Sequence, residues 1–233
     1  MKFFNKAEKK RAAAVRKTVK GYEPEINKWN TSEFVVRTLI PLIGYTPFPV
    51  DELLTLVNIA CIQQPDFIYE WGTHVGKSAR IFAETVRAYG LKSKIISIDL
   101  PENVEHVEHP HKEHGRYVRG MSEVTLLRGD GVTEAIKHAK HHNGRNKKLL
   151  FFLDGDHTEE TVARELYAIL RSFPRASIIV HDTFNQSKQS KYNIGPYLAI
   201  KKTAFLGKKY SQFTTNFGLP GMTVLIPKSQ AKK

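Results

Sequence analysis

The sequence predicts an α/β fold with a doubly wound, mostly parallel sheet, and three observations support this prediction. Short apolar segments of strand length alternate with segments of helical periodicity between residues 67 and 182. The run Leu149–Leu153 is apolar throughout, as expected of a strand buried on both faces of a parallel sheet. Two strand-like segments near the C-terminus, joined by Gly218–Gly221, predict an antiparallel edge hairpin.

Five strands are expected before this hairpin. They are Phe67–Glu70, Lys94–Asp99, Val124–Asp130, Leu149–Asp154 and Ser177–Asp182. Helices are expected between them, because apolar residues recur at helical spacing from Ala79 to Val86, within Gly131–Ala139 and from Val162 to Leu170. The terminal pair is predicted at Phe213–Phe217 and Met222–Ile226. This order of elements is typical of a Rossmann-like sheet with an antiparallel edge.

The length of 233 residues suits one domain with a short extension. We expect a basic N-terminal extension over residues 1–31 and a Rossmann-like domain over 32–233. Within that domain, 32–63 would be a helical cap and 228–233 a basic tail. The single cysteine, Cys61, excludes an intramolecular disulfide, and the first 20 residues lack the apolar core of a secretory signal. A cytoplasmic location is therefore expected.

The chain is strongly basic, with 36 Lys and Arg against 23 Asp and Glu, a net charge of +13. Such an excess favours an anionic partner, and nucleic acid is one candidate, although solvated tails and a basic loop would also explain it. No apolar run reaches membrane-spanning length. A homo-oligomer is compatible with the sequence.

The most informative segment is the turn that follows the first predicted strand. A phosphate-binding Walker A loop needs four residues before Gly-Lys-Ser, but only three separate Gly72 from Gly76. His74 occupies the place of the second glycine in the dinucleotide fingerprint. What remains is a glycine turn preceded by Glu70, whose charge would repel a pyrophosphate and suits a cationic ligand.

An acidic residue closes each of the five predicted strands: Glu70, Asp99, Asp130, Asp154 and Asp182. Because ligands of open parallel sheets bind at the carboxyl ends of the strands, these side chains should line one rim. Any one of them could simply cap a helix. Together they suit diols, exocyclic amines, a cationic cofactor or a metal ion.

The chain resembles class I S-adenosylmethionine-dependent methyltransferases. Within that class it is similar to the cephalosporin-hydroxylase-like and macrocin-O-methyltransferase-like group, which is often metal-dependent. The resemblance runs from about Pro47 to Pro227 and rests on three motifs. They are Ile68-Tyr-Glu-Trp-Gly-Thr-His-Val-Gly-Lys-Ser-Ala79, Phe152-Leu-Asp-Gly-Asp-His157 and Ile179-Val-His-Asp-Thr183. It implies an enzyme that uses S-adenosylmethionine.

The resemblance also implies positions for the cofactor. Glu70 and Gly72 would flank its methionine part, Asp99 would hold the ribose hydroxyls, and Asp130 would lie near the adenine amine. The remaining cofactor-binding residues of the turn would be Thr73, Gly76 and Ser78. The chain departs from the family at His74 and Lys77, where small residues are common. Lys77 would add positive charge near a sulfonium unless it points to solvent.

The chemical centre is expected beyond the fourth and fifth strands, whose ends lie about 5 Å apart. Carboxylates there suit Mg²⁺ or another divalent ion. By family position Asp154 and Asp182 would be metal ligands, with His181 or Thr183 as a further ligand. His157 would be the general base, acting with Asp154 as a catalytic residue. The alternative is that Asp154 and Asp182 cap loops and bind no metal.

The predicted function is metal-assisted O-methylation of a hydroxyl on a sugar or other polyhydroxylated small molecule. The alternatives are an RNA ribose methyltransferase, suggested by the charge, and a non-catalytic basic binding module on a degenerate cofactor fold. Two loops are expected to flank the substrate. The first is a polar lid that contains His106, His109, His111 and His114, and the second is Phe184–Tyr197.

Overall fold

The computed structural model describes residues 27–101, 104, 113–185, 193–203 and 209–228. Most of the predicted N-terminal extension and most of the basic tail lie outside these residues. So do His106, His109 and His111 of the predicted lid. The division of the chain into an extension and a catalytic domain therefore stays a prediction.

Within the described residues, seven strands form one sheet in the order β3-β2-β1-β4-β5-β7-β6. The first five strands pair in parallel, whereas β7 pairs antiparallel with both β5 and β6. The strands are β1 Phe67–Trp71, β2 Lys94–Asp99, β3 Val124–Arg128, β4 Leu149–Leu153, β5 Ser177–His181, β6 Tyr210–Thr214 and β7 Met222–Pro227. The predicted fold class, including the antiparallel edge, is confirmed.

The described helices lie on both faces of this sheet. They are α1 Lys28–Phe34, α2 Ile40–Ile43, α3 Val50–Gln63, α4 Lys77–Tyr89, α5 Gly131–His141, α6 Glu159–Ser172 and α7 Gly195–Lys202. A π-helical segment, Val35–Leu39, connects α1 to α2. Successive strand residues point to opposite faces, so Ile68 packs with α3 and α4 while Tyr69 packs with α5 and α6.

The strand register brings three loops to one edge of the sheet. Trp71 at the end of β1 is level with Leu153 at the end of β4, and Leu153 is level with Val180 of β5. The residues that follow these strands, among them Gly72 and Asp154, therefore meet at the carboxyl edge, as the pattern of acids predicted.

The predicted ends of four parallel strands differ from the structure by one or two residues, and two further boundaries were wrong by about three residues. The first hairpin strand was expected at Phe213–Phe217, but β6 is Tyr210–Thr214, because the chain leaves the ladder after Thr214 and Thr215 N–H closes the loop on Met222 O at 2.9 Å. The second rim loop was expected to reach Tyr197, but α7 begins at Gly195. Pro196 favours this start, since its fixed φ suits the first turn of a helix.

No helix in the described part of the chain combines the length and the apolar character needed to cross a bilayer. The expected cytoplasmic location stays a prediction.

Candidate active site

The glycine turn after β1 packs directly against the loop after β4. Gly72 has φ +86°, and its N–H donates to Ile98 O at 3.1 Å. A Cβ atom at Gly72 would lie 2.0 Å from the carbonyl oxygen of Asp154. Only glycine fits this position, for reasons of both backbone conformation and space. The turn therefore fixes the main chain of Asp154.

The rest of the turn is held by hydrogen bonds. Gly76, with φ +87°, precedes α4, and its N–H donates to Thr73 O at 2.6 Å. The buried Thr73 hydroxyl lies 2.6 Å from Ser97 Oγ. His74 adopts the left-handed conformation with φ +44°, and its backbone N–H donates to Asp99 Oδ2 at 3.0 Å. His74 thus connects the turn to the end of β2.

Lys77 points away from the turn. Its Nζ donates to the carbonyl oxygen of Thr46, which lies within the predicted helical cap, at 2.6 Å. The positive charge of Lys77, which was expected near the cofactor unless it pointed to solvent, is thus directed towards the segment between α2 and α3.

Glu70 is completely buried beneath the first turn of α4. Its Oε2 accepts a hydrogen bond from Ser78 Oγ at 2.7 Å. Burial raises the pKa of Glu70 to about 7, and the nearby Ser97 and Ser78 hydroxyls only partly offset this effect. Among the described residues, no donor meets normal hydrogen-bond geometry at Oε1. This oxygen keeps unused acceptor capacity beside the turn, and protein encloses it in this conformation.

Asp99 and Asp130 lie at the same rim in different environments. Asp99 Oδ1 accepts from Leu100 N–H at 3.0 Å, and His114 Nε2 lies 3.4 Å from Oδ2. His114, the described member of the predicted lid, is therefore at the rim. Asp130 caps α5 by accepting from Thr133 N–H at 3.0 Å.

Asp130 also forms an ion pair with Arg164, whose Nη2 lies 2.9 Å from Oδ2. Partial burial alone would raise the pKa of Asp130, but Arg164 and Thr133 together lower it. The carboxylate therefore has a structural role as a helix cap. The proposed roles of Asp99 at the ribose and Asp130 at the adenine stay predictions.

Asp154, His157 and Asp182 form a cluster at the ends of β4 and β5. One donor atom from each lies within 4.8 Å of the others. His157 Nε2 is 2.9 Å from Asp182 Oδ2 and 3.9 Å from Asp154 Oδ1. Asp182 has φ +57°, a conformation that is uncommon outside glycine and is often retained at functional sites. Two carboxylates and an imidazole could hold a divalent ion.

Beside this cluster, the imidazole of His181 lies between two carboxylates. Its Nδ1 is 2.8 Å from Asp154 Oδ1, and its Nε2 is 2.9 Å from Glu52 Oε2. Both ring nitrogens are engaged in this orientation. For His181 to coordinate a metal, as the sequence predicted, the ring would have to turn. Its role as a ligand stays a prediction.

The charges in this centre strongly affect each other. Burial alone would raise the pKa of Asp154, but His181 and His157 lower it to about 2. Burial alone would lower the pKa of His157, but Asp154 and Asp182 raise it to about 10. In this arrangement His157 is protonated at neutral pH.

Glu52 is the site residue that the sequence reasoning missed. It lies in the first turn of α3, within the predicted cap and 129 positions from its partner His181. A signal was present, because Glu52 occurs at helical spacing with Leu56 and Ile59, which are both buried. An acid on the apolar face of a helix needs a buried partner.

The fold is that of a class I S-adenosylmethionine-dependent methyltransferase, with a glycine turn after β1 and an acidic centre at the ends of β4 and β5. A family model described as rhamnosyl O-methyltransferase/CmcI matches residues 43–217. The chain belongs to this family and is an S-adenosylmethionine-dependent O-methyltransferase. No curated protein was matched to it by sequence.

Solved structures share the fold at low sequence identity. An O-methyltransferase from Bacillus cereus in complex with S-adenosylhomocysteine (SAH) has 15% identity and a TM-score of 0.57, covering 95% of this chain and 97% of that one. The SAH-bound methyltransferase PaMTH1 from Podospora anserina has 17% identity and a TM-score of 0.55, covering 97% of both chains. CalS11, described as a TDP-rhamnose 3'-O-methyltransferase of calicheamicin biosynthesis, has 15% identity and a TM-score of 0.54, covering 96% of this chain and 95% of that one.

Proposed function

We propose that this enzyme methylates a hydroxyl group of a sugar or other polyhydroxylated small molecule, with the assistance of a divalent metal ion. The observation that carries the proposal is the cluster of Asp154, His157 and Asp182, whose donor atoms lie within 4.8 Å of one another. The cofactor turn is adjacent, since Gly72 packs on the Asp154 carbonyl. A methyl donor and a hydroxyl bound at the cluster would therefore be neighbours.

The residues of the turn fit S-adenosylmethionine. Glu70 offers a buried carboxylate oxygen to a cationic group, and Gly72 lets the main chain approach a ligand without a side chain intervening. Asp99 at the end of β2 is suited to ribose hydroxyls, since a carboxylate oxygen can accept more than one hydrogen bond. Thr73, Gly76 and Ser78 shape the turn and the start of α4.

The centre fits a hard divalent ion such as Mg²⁺. Asp154 and Asp182 would hold it, with His157 beside them. When bound, such an ion would lower the pKa of a coordinated substrate hydroxyl. His157 is the proposed base. It can accept a proton only when Asp154 and Asp182 face a compensating positive charge, because unopposed they keep its ring protonated.

A methyl-transfer assay tests this function. The enzyme would be incubated with S-adenosylmethionine, Mg²⁺ and separate acceptors: TDP-rhamnose, other nucleotide sugars, simple glycosides and RNA. We expect methylation of a sugar hydroxyl and a loss of activity with a chelator that Mg²⁺ restores. Transfer to RNA ribose alone, or full activity in the chelator, would contradict the proposal.

The pKa of Glu70 leads to a prediction about cofactor affinity. The methionine part of SAH carries an ammonium group that favours the ionised carboxylate, and the free protein holds the proton below a pH of about 7. Calorimetric titration should therefore show the Kd of SAH rising about tenfold from pH 8 to pH 6. Glu70→Gln should bind more weakly at pH 8 and lose this pH dependence. If the Kd of SAH changed equally with pH in the wild type and in Glu70→Gln, Glu70 would not be part of the cofactor site.

Some of the positive charge of the chain lies away from the candidate active site. A cavity of about 280 Å³ is lined by Arg145, Lys147, Arg171 and Arg175. It adjoins Leu149, the first residue of β4, and therefore lies at the opposite edge of the sheet from Asp154. A nucleic-acid partner and a homo-oligomer stay predictions.

A further inference from the structure

Glu52 has an unusual environment for an acid. Its side chain is only 1% exposed, and both of its oxygens accept hydrogen bonds at 2.9 Å, Oε2 from His181 Nε2 and Oε1 from Gly221 N–H. Burying a carboxylate is costly unless it is fully hydrogen-bonded. An apolar side chain at this position of α3 would avoid that cost, so packing alone does not explain an acid here.

The pocket around His181 leaves the ring few alternatives. Phe48 and Phe152 lie beside it, with ring centroids 5.0 Å and 6.3 Å away. The polar groups that meet its nitrogens are Glu52 on one side and Asp154 on the other. Carboxylates accept hydrogen bonds, so both nitrogens act as donors. Burial alone would lower the pKa of His181, but these carboxylates raise it well above its usual value.

The Glu52 carboxylate also fixes the loop between β6 and β7. Gly221 donates to Glu52, and its own carbonyl accepts from Thr183 N–H at 3.1 Å. Thr183 follows Asp182, and its carbonyl accepts from Asn216 Nδ2 at 2.6 Å. Glu52 therefore connects the cap helix both to the acidic centre and to the loop beside it.

We infer that Glu52 is a positioning residue of the methyl-transfer site. It orients the ring of His181 so that Nδ1 holds Asp154, and it fixes the backbone at Gly221 beside Asp182. Replacing a group that hydrogen-bonds a metal ligand typically costs about 10- to 100-fold in metal affinity or activity. Glu52 acts on Asp154 through His181, one hydrogen bond further away, so we expect the lower end of this range, about tenfold. This inference rests on the proposed function, because it gives Asp154 the role of metal ligand.

Glu52→Gln tests the inference with little change of shape. A glutamine has an oxygen at only one of the two positions that Oε1 and Oε2 occupy, so either His181 or Gly221 meets an NH2 group in place of an acceptor. Mn²⁺ titration followed by electron paramagnetic resonance should show the affinity for Mn²⁺ weakened by about tenfold. The affinity for SAH should change less than about threefold, because Glu52 makes no described contact with the cofactor turn.

Glu165→Gln is the matched control. Glu165 is also an acid on a helix and is 3% exposed, but it lies on α6 across the sheet. Burial raises the pKa of Glu165 to about 8, so it is largely protonated at neutral pH and glutamine mimics that state. We expect this variant to bind Mn²⁺ as the wild type does. Unchanged Mn²⁺ affinity in Glu52→Gln would overturn the inference.

Nuclear magnetic resonance of ¹⁵N-labelled histidines separates the inference from the proposed function. In the wild-type protein, the Nε2–H of His181, which faces Glu52, should exchange slowly with solvent, and Glu52→Gln should shift its signal. If the wild type binds no Mn²⁺, the metal part of the proposed function fails while this measurement still decides the role of Glu52. A rapidly exchanging Nε2–H in the wild type would overturn the inference without any variant.

Discussion

Replacing Asp154 with asparagine is expected to reduce turnover about 10³-fold while the affinity for SAH changes less than about threefold. Asp154 lies between His181 and His157, and these imidazoles lower its pKa to about 2. An asparagine keeps the shape but removes the charge that a metal ion and the two rings require. His157→Ala should have a similar effect. Turnover would be measured with saturating S-adenosylmethionine, and SAH affinity by calorimetry.

Asp156→Asn provides the control for this prediction. Asp156 is two residues away, but its Oδ1 accepts from Thr158 N–H at 2.6 Å and so supports the turn before α6. It is outside the donor cluster of Asp154, His157 and Asp182. We expect normal turnover in Asp156→Asn. If Asp154→Asn and Asp156→Asn were equally active, the assignment of the centre would be wrong.

The sequence predicted the sheet because its signal is local. The apolar run Leu149–Leu153 identifies a strand that is buried on both faces, and the helical spacing from Ala79 to Val86 identifies the buried face of α4. The rim follows from the sheet, since parallel strands end at one edge. The acids Asp154 and Asp182 could therefore be placed together without any knowledge of their distances.

What the sequence could not supply was the choice of partner for each side chain. Lys77 bonds to Thr46, 31 positions away, and Glu52 meets His181 across 129 positions. No periodicity encodes such contacts. Asp130 shows another limit: the strand-end pattern left open whether it binds a ligand or caps a helix, and the structure shows a helix cap and an ion pair with Arg164. Its place near the adenine stays a prediction.

Gly72→Ala is expected to have the largest effect on the fold at this site. A left-handed backbone with a side chain costs roughly 1–2 kcal/mol. At Gly72 the added Cβ would also lie 2.0 Å from the Asp154 carbonyl oxygen. That oxygen belongs to the main chain just after β4 and cannot yield as a flexible side chain could. We expect the free energy of unfolding to fall by more than about 4 kcal/mol, or the protein not to fold.

Gly120→Ala separates the two causes of this effect. Gly120 has φ +74°, close to the +86° of Gly72, but a Cβ there would meet nothing within 4 Å. In Gly120→Ala only the conformational cost remains, so the free energy of unfolding, measured with urea, should fall by roughly 1–2 kcal/mol. The affinity of this variant for SAH should be unchanged. Equal losses in Gly72→Ala and Gly120→Ala would show that the Asp154 main chain can move aside. The turn would then not fix Asp154, and the cofactor turn and the acidic centre would have to be positioned independently of each other.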